Sequence, residues 1–148
     1  MANLNVPQAP LYQAWHVLGQ GIKNQEIRLN IASQNYSNAN STSVNPGGDP
    51  YRRKTLIFKA QVDSKTGAHV PVLKKSTYDY SEFPLRFNPG HPSADTVTGY
   101  VKMPNVKTSM EALDAQDANL AFAGCSQVYS MATTMIYRLH NMINQRSA

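Results

Sequence analysis

A 3.5-residue repeat near the N-terminus constrains the fold of this chain more than any other feature. Apolar residues recur there at alternating spacings of four and three, with one polar residue in the series. The series is Leu11, Trp15, Leu18, Ile22, Gln25, Leu29, Ala32 and Tyr36. Such spacing is typical of the seam of a coiled coil, and Pro10 suits the first position of a helix. We therefore expect a long amphipathic helix that pairs with another helix.

The predicted helix is too long to be covered by the rest of the chain. Residues 38–50 are rich in Asn, Ser, Gly and Pro, a composition that ends a helix in a loop. A helix over residues 11–37 is roughly 40 Å long. A chain of 148 residues builds only one modest core. Part of the helix surface is therefore expected to pack against other subunits.

A second amphipathic pattern occupies the C-terminal part of the chain. Thr108, followed three residues later by Glu111, resembles a capping box that starts a helix. The apolar stripe comprises Met110, Leu113, Leu120, Gly124, Val128, Met131, Met135, Leu139 and Met142, and Asp117 interrupts it. We expect this stripe to pack against the N-terminal helix, and its methionines make it an adaptable surface.

The middle of the chain shows strand and turn patterns. Strands are predicted over residues 55–62, 68–73 and 100–103, and dense turn clusters occur at residues 45–50 and 88–92. The sequence therefore predicts an α+β protein in which long terminal helices form a coiled-coil-like hairpin around a β- and loop-rich middle. Its three regions are residues 1–42, 43–107 and 108–148.

Composition narrows the possible functions. Charged residues make up only 16% of the chain, whereas Asn and Gln are frequent, with 13 and 9 residues. Of the 14 Lys and Arg, 10 lie between Arg52 and Lys107, so the helical ends are nearly neutral and do not resemble a basic arm for nucleic acid. The N-terminus lacks the cationic and apolar segments of a cleavable signal peptide, and no apolar run is long enough to span a membrane.

No pattern of catalytic or ligand-binding residues is convincing, so we expect no catalytic site, cofactor or metal. The four histidines have no metal-ligand spacing, and the single cysteine, Cys125, lies in an apolar helical run typical of a buried thiol. His91 and Asp95 could form the base and orienting group of a small hydrolase, but the surrounding Pro-rich pattern favours a plain loop.

A nucleic-acid platform is a further alternative. Tyr51, Arg52 and Arg53, followed by Lys54 and Phe58, combine cations with aromatic rings as single-strand binders do. Adjacent cations at the start of a strand are more often a solvated edge that discourages strand pairing. The sequence leaves both readings open and favours the solvated edge.

Four blocks of residues carry a family resemblance. Gly21, Gln25 and Arg28 with Leu29 and Asn30 fit the pattern SGMSAQRTRLN, and residues 33–42 are similar to A-x-N-L-A-N-A-N-T-T. Residues 50–54 with Phe58 are similar to PYRRK…F. Residues 88–95 and 99–106 are similar to DPGHPDAD…GYVxxPNV. The chain thus resembles the flagellar basal-body rod proteins, and most closely the proximal-rod members, rather than another rod or hook protein.

The resemblance implies a structural subunit of the rod that links the flagellar motor to the hook. Such subunits assemble with copies of themselves and with neighbouring axial proteins through their terminal helices, and the flagellar export apparatus exports them without a cleaved signal peptide. The expected assembly residues in the N-terminal helix and the following loop are Leu18, Gly21, Ile22, Gln25, Arg28, Leu29, Ala32, Asn35, Tyr36, Asn38 and Asn40. Those in the C-terminal helix are Leu113, Leu120, Val128, Met131, Met135 and Leu139. No nucleic acid and no membrane span are expected.

Overall fold

Two long antiparallel helices form the axis of the molecule. The computed structural model describes residues 10–64 and 67–145. Helix α1 covers Pro10–Ser37 and helix α2 covers Thr108–Gln145, and the end of α1 agrees with the prediction. The Trp15 ring stacks on the Tyr129 ring with their centroids 5.3 Å apart, and the Trp15 indole donates a hydrogen bond to Thr133. At the opposite end Asn35 contacts Glu111, which fixes the antiparallel direction and confirms the α+β helical hairpin.

Two small β-ribbons lie between the helices in the chain. Strands β1 (Lys54–Val62) and β2 (His69–Tyr78) pair antiparallel, with a register shift between Ile57 and Phe58. Strands β3 (Leu85–Phe87) and β4 (Tyr100–Lys102) form a second antiparallel pair. Strand β2 is longer than predicted, and β3 was not predicted.

The β1–β2 ribbon lies along α1 and is attached to it at three points. At its base, Asn35 bonds the backbone of Lys54. Midway, the Asn24 amide donates to the Pro71 carbonyl oxygen at 2.6 Å. Near the tip, His16 Nε2 lies 3.1 Å from Asp63 Oδ2. Because two-stranded ribbons are marginally stable alone, these contacts hold β1–β2 in place.

The core is thin and consists of small side chains. Its buried apolar residues are Ala32, Ala39, Val70, Ala94, Val101, Ala118 and Ala132. A Cβ built on Gly21 would lie 3.6 Å from Cys125 Sγ, and one on Gly19 would lie 3.5 Å from a Tyr129 ring carbon. Small residues therefore allow α1 and α2 to approach closely, and they leave few large side chains buried within the subunit.

The predicted pairing of the helices along the methionine stripe is wrong. Helix α2 turns Glu111, Ala118 and Ala132 inward, and all three are buried. The apolar stripe from Met110 to Met142 lies roughly a third of a turn further around the helix and is exposed. Gly124 in this stripe has open space where a Cβ would lie. Small side chains permit the shorter distance between the helices, so they occupy the contact, and the larger ones face outward.

The predicted capping box is also wrong. Helix α2 begins at Thr108, and the Lys107 carbonyl accepts bonds from the backbone N–H groups of Met110 and Glu111. The Glu111 carboxylate does not turn back toward the helix start but bonds Asn35 and Arg53. The Glu111 carboxylate therefore stabilises the tertiary structure and does not cap the helix.

Candidate assembly interface

A buried polar cluster joins the end of α1, the start of β1 and the first turn of α2. We call Asn35, Tyr51, Arg53 and Glu111, with the Lys54 backbone, the Asn35 cluster. Asn35 Nδ2 donates to Glu111 Oε2 and to the Lys54 carbonyl oxygen, both at 2.9 Å. Asn35 Oδ1 accepts from the Tyr51 hydroxyl and the Lys54 N–H, also at 2.9 Å. The amide thus uses its full hydrogen-bonding capacity, which suits a side chain that is only 1% exposed.

An ion pair completes the Asn35 cluster. The Arg53 guanidinium donates through Nε to Glu111 Oε1 at 2.5 Å and reaches Asp114 at 3.3 Å. The Glu111 side chain is 1% exposed, whereas the Asp114 side chain is 48% exposed. A buried carboxylate requires such a partner because an unpaired buried charge is strongly unfavourable. The cluster therefore locks the register between the two helices at one end of the hairpin.

Burial raises the pKa of the Tyr51 phenol above 10.0, and the electrostatic interactions with Tyr78 and Glu111 act in the same direction. The folded chain therefore favours the neutral phenol. This contribution to stability is fully present below pH 10 and is lost as the pH rises further. In an absorbance titration at alkaline pH, Tyr51→Phe is expected to remove a phenol with a midpoint above 10. A difference curve with its midpoint at or below 10 would contradict the burial of Tyr51.

The exposed stripe of α2 is the largest apolar surface among the predicted assembly residues. We call Met110, Leu113, Leu120, Val128, Met131, Met135, Leu139 and Met142 the α2 outer face. Each of these side chains is between 47% and 65% exposed. They follow one another along a single side of a 38-residue helix. All six predicted assembly residues of α2 belong to this face, so each is accessible to a second molecule.

The predicted assembly residues of α1 and its exit loop have a different environment. Ala32 and Asn35 are buried within the subunit, and Gly21 lies against Cys125. The remaining members are half-buried or exposed. The half-buried ones are Leu18, Ile22, Gln25, Arg28, Leu29 and Asn38, and the exposed ones are Tyr36 and Asn40. Much of the α1 seam is therefore used inside the subunit, where it supports the hairpin.

Two polar residues of α1 and its exit loop have local partners. Gln25 accepts a hydrogen bond from Arg28 at 3.1 Å. Asn38 donates to the Gln34 carbonyl at 2.9 Å and accepts from Ser41, so it shapes the exit from the helix. These bonds explain the amide-rich helix end without a partner molecule.

The residues of the predicted nucleic-acid platform are engaged inside the subunit. The Arg52 guanidinium lies 4.0 Å from the centre of the Phe83 ring and donates to the carbonyls of Asp79 and Ser81. Arg53 and Tyr51 belong to the Asn35 cluster. The structure thus uses these cations and this ring to join segments of its own chain, which argues against a nucleic-acid platform.

His91 and Asp95 stabilise their own loop. Asp95 Oδ1 accepts from the N–H groups of Val97 and Thr98 at 2.9 and 2.8 Å, and these bonds, with that to Thr98 strongest, lower the pKa of the Asp95 carboxyl. His91 Nδ1 accepts from the Ser93 N–H at 3.1 Å. Asp95 therefore caps a turn and does not orient His91, which argues against the hydrolase hypothesis.

Sequence reasoning missed the Asn35 cluster because its members are far apart in the chain. Glu111 was assigned to a capping box, and Arg53 and Tyr51 to a surface patch. One signal was available: Glu111, Ala118, Cys125 and Ala132 are spaced seven residues apart. Small residues at that spacing indicate a close helix contact, and an acidic residue on the same line indicates a buried partner.

Comparison with known proteins identifies the family. No family model matches the chain. It is 39% identical over 127 residues to the flagellar basal-body rod protein FlgC of Agrobacterium fabrum, covering 86% of this chain and 91% of that protein. The FlgC proteins of Salmonella typhimurium and Borreliella burgdorferi are 33% and 30% identical, over 86% and 84% of this chain and 94% and 92% of their own lengths.

Within residues 10–64 and 67–145, neither helix is long and apolar enough to cross a membrane. The match extends over nearly the whole length of each relative and therefore includes the middle region and part of each terminal helix. The chain belongs to the FlgC family of flagellar basal-body rod proteins and is a structural component of the bacterial flagellar rod.

Proposed function

We propose that the chain polymerises through its terminal helices as a subunit of the proximal rod and transmits torque from the motor to the hook. The α2 outer face supports this proposal most directly. A monomeric protein rarely exposes a contiguous apolar patch larger than a few hundred Å². Here eight large apolar side chains, each about half exposed, line one side of a long helix. Covering this surface with a neighbouring subunit removes apolar area from water and is therefore favourable.

The Asn35 cluster suits the hairpin to carrying load. A rod that transmits torque needs subunits whose helices do not slide past each other. Glu111 and Arg53 resist such sliding at one end of the hairpin, and the Trp15 ring stacked on Tyr129 resists it toward the other. Stacking identical subunits through two different surfaces, in a contact that does not close on itself, produces a tubular assembly in which many contacts share the torque.

The three regions have separate roles in this proposal. Residues 1–42 and 108–148 form the axial unit, whose partners are other copies and neighbouring axial proteins of the rod. Residues 43–107, which carry 10 of the 14 Lys and Arg, face outward and contact adjacent axial subunits. Burial of Ala32 and Asn35 within the hairpin means that these predicted assembly residues act indirectly, by holding α1 against α2.

Export is expected to occur through the flagellar export apparatus without cleavage of a signal peptide. Similarity to the flagellar basal-body rod proteins supports this route. Mass spectrometry of the chain in purified basal bodies is expected to find the N-terminal residues still present. Loss of an N-terminal segment from the assembled protein would contradict this route.

A genetic deletion tests the proposed function. Cells lacking the chain are expected to be non-motile, and cryo-electron tomography is expected to show motor rings without a complete rod. Expression of the intact chain in the same cells should restore both rod and swimming. Complete rods and normal swimming in the deletion strain would contradict a rod function. A rod that stops only near the hook would contradict the proximal position of the chain.

A further inference from the structure

The two edges of the β1–β2 ribbon differ in how their backbone groups are used. At one end of β1, the Arg53 carbonyl accepts from the Asp79 N–H at 2.8 Å. At the other end, the Asp63 N–H donates to the Ala68 carbonyl at 2.9 Å. The register shift adds its extra residue, Lys74, to β2 and leaves the alternation in β1 unbroken. Because successive residues of an antiparallel strand bond in opposite directions, the even-numbered residues of β1 point their N–H and C=O groups away from β2.

The Asn35 side chain shows what this edge of β1 can bind. Its amide bonds both the N–H and the carbonyl oxygen of Lys54, each at 2.9 Å, as a residue of a third strand would. Within residues 10–64 and 67–145, no backbone hydrogen bond from another segment reaches the next even-numbered residues, which are Leu56, Phe58, Ala60 and Val62. Over residues 56–62, β1 therefore has an unpaired edge that we call the β1 edge.

The opposite edge of the ribbon is closed. Pro71 of β2 has no N–H, and its carbonyl oxygen accepts the bond from Asn24 of α1 at 2.6 Å. Proline and cover by another element are two common ways of protecting the edge of a sheet. The β1 edge contains no proline, and it includes the apolar residues Leu56, Ile57, Phe58 and Val62. An unprotected apolar edge of this length is a template for pairing with another chain.

A groove beside the β1 edge suits the side chains of an added strand. The groove has a volume of about 500 Å³ and lies between β1 and α1, where Ile31, Leu56 and Phe58 line it. Successive side chains of a strand point to opposite sides, so every second side chain of an added strand can enter the groove. Apolar side chains at those alternate positions match the apolar lining.

The charges of the ribbon indicate the chemistry of the occupant. Lys59, Lys74 and Lys75 are exposed, and none of them belongs to an ion pair in the part of the chain that the structure describes. The ribbon of a second copy would bring the same cations against them, and like charges on neighbouring strands are destabilising. The occupant that fits is therefore an extended segment with apolar residues at alternate positions and carboxylates between them.

We infer that, in the assembled rod, such an extended acidic segment of an adjacent axial subunit adds to the β1 edge as a third strand. The inference rests on the proposed function, because that function supplies the neighbouring subunit. Main-chain hydrogen bonds give a contact of this kind its affinity, and the side chains in the groove and beside Lys59 give it specificity. The contact uses the middle region and is separate from the α2 outer face.

Photo-crosslinking in purified basal bodies tests the strand pairing. The photoreactive residue p-benzoylphenylalanine replaces Phe58 in one variant and Val62 in another. Both are expected to link to one segment of an adjacent axial subunit, at sites about four residues apart, because paired strands advance together. The same group at the exposed residue Glu82, outside the ribbon, is expected to give no link to that segment. Absence of links, links within the same chain, or linked sites on unrelated segments would overturn the inference.

A proline substitution tests the backbone groups of the β1 edge. The Ala60 N–H points away from β2, and Pro71 already lies opposite Ala60, so Ala60→Pro leaves the bonds between the strands in place. When co-expressed with the native chain, Ala60→Pro is expected to enter basal bodies at least about tenfold less often, because the third strand loses a hydrogen bond and meets the proline ring. Ala60→Val keeps the N–H and should enter as often as the native chain. Mass spectrometry measures both ratios, and equal incorporation of the two variants would overturn the inference.

The experiments separate this inference from the proposed function. If Ala60→Pro disturbed the ribbon itself, the cross-linked positions from Phe58 and Val62 would still decide whether a strand is added. A deletion strain that the intact chain restores, but in which these cross-links are absent, overturns the third strand and leaves the rod function standing. Complete rods in the deletion strain contradict the rod function itself, whatever the cross-links show.

Discussion

Cells in which Met131→Glu replaces the native chain are expected to be non-motile and to lack complete rods. Met131 lies in the α2 outer face and is 52% exposed in the single subunit. In an assembly that covers this face, the new carboxylate loses its water without gaining a partner, which costs several kcal/mol. The same loss recurs at every subunit contact of that kind. The free subunit should change in stability by no more than about 0.5 kcal/mol, because the side chain is exposed there.

Ser130→Glu provides a matched control for this experiment. Ser130 is the neighbouring residue, is also exposed, and points to the other side of α2. The two variants add the same charge at nearly the same height along the helix. Swimming assays and electron microscopy of basal bodies should show normal rods for Ser130→Glu and none for Met131→Glu. Equal behaviour of the two variants would count against the α2 outer face as the assembly surface.

The second large effect is expected from Glu111→Ala, which should lower the free energy of unfolding by about 3 kcal/mol. The substitution removes the hydrogen-bond acceptor of Asn35 and the partner of Arg53 together. It also leaves a cavity in a core made mainly of alanine. Small domains have only about 5–15 kcal/mol of stability, so the loss is a large fraction of the total.

Urea unfolding of purified variants measures this loss, with Asp114→Ala as the control. Asp114 contacts the same guanidinium, but at 3.3 Å and with a side chain that is 48% exposed. Its removal is expected to cost less than about 1 kcal/mol, as for other exposed ion pairs. If the two variants lost similar stability, burial would not be the reason for the strength of the Arg53–Glu111 contact.

The helices were predictable because their signal is local. Each helix places every third or fourth residue on one side, so an apolar periodicity appears within a few turns of the chain. The end of α1 was also readable, since Asn38 and Ser41 bond within the turn itself. The C-terminal half of β2, by contrast, contains Lys74, Lys75 and Ser76, which do not resemble a strand. Pairing with β1 makes this segment a strand, and such pairing is not a local property.

The partner of each helix face could not be predicted from periodicity. The pattern from Met110 to Met142 shows that one side of α2 is apolar, but not whether the same molecule or another covers it. Small residues decided this point, since Gly21 and Cys125 let the backbones approach and large side chains would have kept them apart. The distance between two packed helices depends on the combined volume of the side chains at their contact. Here those side chains come from residues about a hundred positions apart in the chain.

By itself, the sequence determined the two amphipathic helices, the turn-rich middle and the family resemblance, because each depends on a pattern of residues that lie close together in the chain. Only the tertiary structure decided that Glu111 is buried against Asn35 and Arg53, and that the methionine stripe faces outward. Both outcomes have one physical reason. A short distance between helices favours small side chains and one well-paired carboxylate inside, and it leaves the large apolar side chains for a contact with another molecule.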